Sequence, residues 1–201
     1  MGFDIANASA VELRELEAQV TYAEFREVTG TATSTVERVR AAITAVESRR
    51  QHAQTERAAI FDAGLNQALA GETITTDLTQ VAALDAAAAL YARSTAHLLS
   101  FDLQDALVAQ AEAALREAEG LYSYECARRA AQEERILEGA AKIPTGGVPF
   151  VLDTALLLES WTRNIVRAEN IRDDAQRNLR NALAERQTKR AAYVEKYGVG
   201  A

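Results

Sequence analysis

Residues 34–60 read STVERVRAAITAVESRRQHAQTERAAI, and Val36, Val39, Ile43, Val46, Arg50, Ala53, Arg57 and Ile60 recur there at alternating steps of three and four. That spacing lines them along one stripe of an α-helix, because 3.6 residues complete a turn. The stripe is aliphatic up to Val46 and polar from Arg50 onward, so it reads as a seam against another helix, dry at first and wetter later. Ser34 and Glu37 stand at capping-box spacing, which predicts a helix over about 34–63.

Working outward, the same grammar repeats. Ser9 and Glu12 form a capping-box pair, and Leu13, Leu16, Val20 and Ala23 follow at three-four spacing, predicting a helix over about 9–28 that Gly30 and its flanking threonines end. Gly64, Gly71 and the polar run 72–76 mark the next connection, and Asp77 with Gln80 opens a segment without proline as far as 141. At about 1.5 Å per residue such a helix would reach on the order of 100 Å, so an interruption is expected, best placed at Ser100-Phe101-Asp102. Helices over about 77–99 and 101–141 result. Both prolines and two adjacent glycines fall within 144–149, a loop over 144–150, after which Asp153 can cap a last helix over about 153–197. Its seam is Leu158, Trp161, Ile165, Ala168, Arg172, Ala175, Leu179 and Ala182. The pattern predicts an all-α fold: one helical unit over 1–201, with long antiparallel amphipathic helices forming hairpins or an elongated up-and-down bundle in the manner of a coiled coil.

Composition agrees. Alanine is about a fifth of the 201 residues, aromatics are 6%, and only 10 glycines and 2 prolines interrupt. A seam of Ala, Leu, Val and Ile allows close helix approach but buries little area per residue, so stability is expected to draw on partner chains. The net charge of −7 argues against general polyanion binding, although it is unevenly spread: residues 1–30 carry −4 and residues 162–201 carry +4. Complementary ends can pair. The single cysteine, Cys126, excludes an intrachain disulfide, and no stretch is a signal core or a span of about 18 apolar residues. The expected setting is cytoplasmic, or a phage particle assembled in the cytoplasm, with no membrane.

Signatures of catalysis are missing from the chain. No His-Glu-x-x-His or Glu-x-x-His occurs, so no metal ligand is expected; His52 and His97 stand alone, and Cys126 reads as packing. Gly146-Gly147 follows Lys142, the reverse of a phosphate-loop order. The pairs Asp102 with Asp105, Glu133 with Glu134, and Asp173 with Asp174 read as solvated faces among arginines. The chain is expected to be no enzyme and to use no cofactor.

Interface candidates are Leu158, Trp161 and Ile165 on the last helix, Tyr122 and Tyr124, which straddle Ser123 and must point to different sides, and Tyr193 and Tyr197, one turn apart. A candidate basic face comprises Arg163, Arg167, Arg177, Arg180, Arg186 and Arg190, but interleaved acids favour salt bridges over a phosphate-tracking stripe.

The texture of this Ala- and Arg-rich chain resembles small structural or assembly proteins of tailed bacteriophages. The resemblance is compositional and carries over no residue. The expected function is a non-enzymatic structural or assembly protein acting through self-association or a larger particle, a phage virion among them. The alternatives are a soluble helical adaptor or inhibitor of one protein partner, and a nucleic-acid-associated protein using the Arg-rich last helix.

Overall fold

The computed structural model describes residues 9–75, 77–141 and 149–198. Among these residues it contains helices and no strands: α1 (Ala10–Leu69), α2 (Leu78–Ser100), α3 (Asp102–Ala141) and α4 (Pro149–Tyr197). The all-α fold read from the seam is the fold of the chain.

The largest departure concerns α1, where one helix replaces the two expected over 9–28 and 34–63. Gly30 does not stop it, because a lone glycine costs only about 1 kcal/mol against alanine and a continuous packing face outweighs that. The neighbouring threonines fold their hydroxyls back onto the helix: Thr29 donates to the Phe25 carbonyl, Thr31 to Glu27 and Thr33 to Thr29, at 3.0–3.1 Å. Ser34 therefore lies inside the helix, away from its N-terminus. A Cβ built at Gly30 meets nothing within 4 Å. Gly30→Ala is accordingly expected to stabilise the chain by about 0.5–1 kcal/mol, read as a melting point about 2–4 °C higher in a thermal scan.

The first cap forms as its spacing predicts. The Ser9 N–H donates to Glu12 Oε2 at 3.1 Å and the Glu12 N–H to Ser9 Oγ at 3.2 Å. The Ser9 backbone hydrogen bond, together with Arg135, holds the Glu12 carboxyl below its usual pKa. A depressed carboxylate pKa adds stability above the unfolded value and loses it as the pH falls through the folded one. The melting-point gap between wild type and Glu12→Gln is therefore expected to close as the pH drops below the usual glutamate range.

At its other end α1 passes Gly64 and stops at Leu69. Gly71 adopts φ 72°, and the N–H groups of Gly71 and Glu72 donate to the carbonyls of Ala68 and Gln67 at 3.1 and 3.0 Å. Glycine takes this left-handed position because a Cβ would be strained there. Asp77 then caps α2, accepting from the Thr79 N–H at 2.9 Å and from its hydroxyl, which lowers the Asp77 pKa. Between α2 and α3 only Phe101 leaves the helix; its N–H still donates to the His97 carbonyl at 2.9 Å, and the Asp105 N–H donates to the Phe101 carbonyl at 2.8 Å. Gln104, 4% exposed, satisfies the Leu99 carbonyl at 3.3 Å. The interruption is thus one residue wide.

The loop expected over 144–150 falls outside the described residues except at Pro149 and Phe150, which are already helical. The last helix therefore starts before Asp153. Proline suits a first helical position, where its fixed φ helps and its missing N–H is not needed.

Instead of one unit over 1–201, the chain divides into two compact units, Met1–Thr33 with Val108–Ala182, and Ser34–Leu107 with Leu183–Ala201. In the first, Ser9 just before α1 bonds Glu134, and contacts from α1 then descend α3 as they ascend α1: Glu12 and Glu15 with Arg135, Tyr22 with Tyr124, Arg26 with Glu117, and Thr33 with Gln110. In the second, α1 meets α2 through Glu47 with Thr95 at 3.5 Å and Arg57 with Asp85, an ion pair at 2.6 Å that lacks hydrogen-bond alignment.

Candidate interaction surface

The inward positions of α1 in the first unit are Val11, Glu15, Ala18, Tyr22, Phe25, Thr29 and Ala32, all half-buried and alternating four and three. This is not the Leu13, Leu16, Val20, Ala23 stripe expected to pack. Leu13 and Val20 are 40% and 50% exposed, and Ala23 is exposed beside a half-buried Leu16. The aromatic rings sit in this register: Phe25 packs over Gly120 and Tyr22 stacks on Tyr124. In the second unit the α1 positions Val36, Val39, Ile43, Val46, Arg50, Ala53, Arg57 and Ile60 are all buried or half-buried, as their spacing predicts.

The core is correspondingly thin. Among the described residues, the buried apolar positions are seven alanines with Val36, Val108 and Tyr193, and no large side chain is fully enclosed. Exposed large side chains include Leu13, Val20, Val28, Val166 and Ile171 in the first unit, and Phe61, Leu65, Leu69 and Ile74 in the second. Phe61, Leu65 and Leu69 stand one turn apart on α1.

Most interface candidates face inward. Leu158, Trp161 and Ile165 are half-buried on the α4 seam that continues through the buried Ala168 and Ala175. Tyr122 and Tyr124 lie on different sides of α3, both half-buried. Tyr124 turns to Tyr22 on α1, with centroids 6.2 Å apart, and Tyr122 sits under the Arg172 guanidinium at 4.7 Å. A hydrogen bond to Cys126 raises the Tyr122 pKa. In the second unit Tyr193 is 5% exposed and meets Phe101 and His97 edge-on at 5.2 and 5.7 Å, with the half-buried Tyr197 tilted against it at 4.8 Å.

The basic residues do not form one face. Arg190 and Arg186 reach Asp105 at 2.6 and 3.5 Å, and Arg190 also covers the Phe101 ring at 5.0 Å. Arg177 pairs with Asp174. Arg163, Arg167 and Arg180 are exposed, in no ion pair among the described residues. The register explains the split, since residues 186 and 190 fall on the inward side of α4 and residues 163, 167 and 180 on the outward side.

Among the described residues no three His, Cys, Asp or Glu side chains converge as metal ligands, and His97 Nδ1 faces the Asp102 carboxylate at 3.3 Å while stacking on Phe101 at 4.8 Å. No described helix is long and apolar enough to cross a membrane. Outward features of the first unit include Leu13, Val20 and Ala23, the acidic residues Glu17, Glu24 and Glu27 around them, and a groove of about 580 Å³ between α1 and α3 lined by Val28, Ala32, Ala109 and Ala113 with Glu112 and Arg116; in the second unit Phe61, Leu65 and Leu69 are exposed on α1. No protein-family model, curated protein or solved structure matches the chain, so this surface is read from its own residues.

Proposed function

We propose that the chain is a non-enzymatic structural or assembly subunit that acts through helix packing, in an oligomer or a larger particle. One observation carries the reading: buried apolar positions are mostly alanine, whereas large apolar side chains such as Leu13 and Val20 in the first unit and Phe61, Leu65 and Leu69 in the second stay exposed. Apolar area left in water is worth roughly 25 cal/mol per Å² once another helix covers it, so association supplies what the thin core does not. The compositional likeness to tailed-phage assembly proteins makes a virion, assembled in the cytoplasm, the first particle to test.

The adaptor reading has less support, because the tyrosines that motivated it pack on residues of their own units and Trp161 is half-buried. The nucleic-acid reading rests on Arg163, Arg167 and Arg180, which stand among Asp173 and Asp174 and make no continuous stripe. Gradient sedimentation of lysate from the native host tests the assembly reading. The expected result is a chain migrating well ahead of its 21.8 kDa monomer. A chain that stays monomeric there, and also in purified form on concentration, overturns it.

A further inference from the structure

The cleft between α3 and α4 in the first unit holds a carboxylate with an unmet acceptor. Leu121 and Glu125 line it from α3 and Asn164, Arg167, Ala168 and Ile171 from α4, around a volume of about 250 Å³. The Glu125 side chain is only 13% exposed, and its Oε2 is buried without a hydrogen-bond partner among the described residues. Buried polar atoms are nearly always hydrogen-bonded, so an oxygen in this position marks a place for a donor. The neighbouring cations of α3 do not supply one: Arg128 stands 3.9 Å from the other oxygen, Oε1, and Arg129 is turned to Glu133 at 2.7 Å.

The α4 wall carries the complementary chemistry. Asn164 and Arg167 are exposed, three residues apart on one side of the helix, and neither is in a hydrogen bond or ion pair among the described residues. Glu169 is turned to Arg172 at 3.4 Å and lines no part of the cleft. Arg167 and Glu125 therefore line one cleft with opposite charges that do not close on each other. A lone cation would satisfy Glu125 but meet Arg167, and a lone anion the reverse. A ligand that carries both charges a few bonds apart answers both. We propose that this cleft binds a free α-amino acid with an aliphatic side chain, its ammonium donating to Glu125 Oε2 and its carboxylate accepting from Arg167 and Asn164. Leu121, Ala168 and Ile171 supply the apolar wall, and an apolar lining with a few polar groups is what small-molecule sites use. The site goes beyond the assembly reading and does not depend on it.

Saturation-transfer NMR on the full chain tests the site, with L-leucine as the probe and its two one-charge analogues, 3-methylbutylamine and 4-methylpentanoate, beside it. L-leucine is expected to bind saturably with a dissociation constant on the order of 1 mM, the scale open to so small a ligand. Each analogue should bind about tenfold more weakly or worse, since it leaves one wall's charge unpaired. Glu125→Gln keeps the size of the side chain and should weaken L-leucine by about tenfold or more without weakening 4-methylpentanoate. Arg167→Gln should weaken L-leucine by about the same factor without weakening the amine. Circular dichroism verifies the fold of both variants, and Arg167→Gln, at an exposed position, carries the test if Glu125→Gln does not fold.

The absence of a saturable L-leucine signal up to about 10 mM overturns the proposal and leaves the assembly reading standing. L-leucine binding that folded Glu125→Gln or Arg167→Gln leaves intact overturns it as well. So does an amine that binds as tightly as L-leucine, which would make the cleft a cation site.

Discussion

Tyr193→Ala is expected to destabilise the chain by about 3–4 kcal/mol in a denaturant titration followed by circular dichroism, the largest loss from any single truncation in the second unit. The ring is 5% exposed, and Phe101, His97 and Tyr197 close around it at 4.8–5.7 Å. Few other buried positions offer as much, because most are alanines whose truncation to glycine removes one methyl. Removing the ring opens a cavity whose walls are held by the Phe101 interruption and by the Arg190–Asp105 pair, so collapse is limited. The hydroxyl has no hydrogen-bond partner among the described residues. Tyr193→Phe should therefore stay within about 0.5 kcal/mol of wild type, and a loss comparable to alanine's would show that the hydroxyl, not the ring, matters.

Gly120→Leu is expected to cost about 3 kcal/mol, and Gly120→Ala about 1–2 kcal/mol, in the same titration. A Cβ at Gly120 comes within 2.8 Å of Phe25 Cδ2 and 3.4 Å of the Tyr22 Cα. The first is the body of a packed ring and the second is backbone, so relief requires α1 to move off α3. Helix propensity favours alanine over glycine by about 1 kcal/mol, which offsets only part of the clash. The comparison with Gly30→Ala is informative, since the same exchange in a helix interior is expected to carry opposite signs at the two positions. An increase in stability for Gly120→Ala would mean that α1 and α3 do not approach as closely as the structure has them.

Helix was legible throughout because periodicity and propensity are local. Val36 to Ile60 and Leu158 to Ala182 were assigned to inward faces from spacing alone, and both stripes are buried or half-buried. The Ser9–Glu12 cap and the interruption beside Ser100 were readable for the same reason, since each is decided within about one turn of chain. The candidate surface was not legible in that way. Leu13, Leu16, Val20 and Ala23 satisfy the rule for a core stripe as well as their neighbours do, and yet Leu13, Val20 and Ala23 are exposed.

A signal for the other register existed. Stepping back from Val36 by alternating four and three reaches Ala32, Thr29, Phe25, Tyr22, Ala18, Glu15 and Val11, the inward residues of α1. Reading Gly30 as a stop hid that continuity, for glycine's local penalty is visible in sequence whereas the packing that outweighs it is not.

What the amino-acid order determined by itself was that this chain is helical, that Ser9 and Asp77 cap helices, and which stripes are able to pack, because backbone hydrogen bonding and side-chain direction depend on residues within a few positions. Only the tertiary structure decided which of two competent stripes on α1 meets α3, that Tyr124 turns to Tyr22 and Tyr122 to Arg172, and that among the described residues some arginines of α4 are in ion pairs and others are not. Those choices turn on the total area and charge brought together by segments about 100 residues apart, a sum that no local window contains.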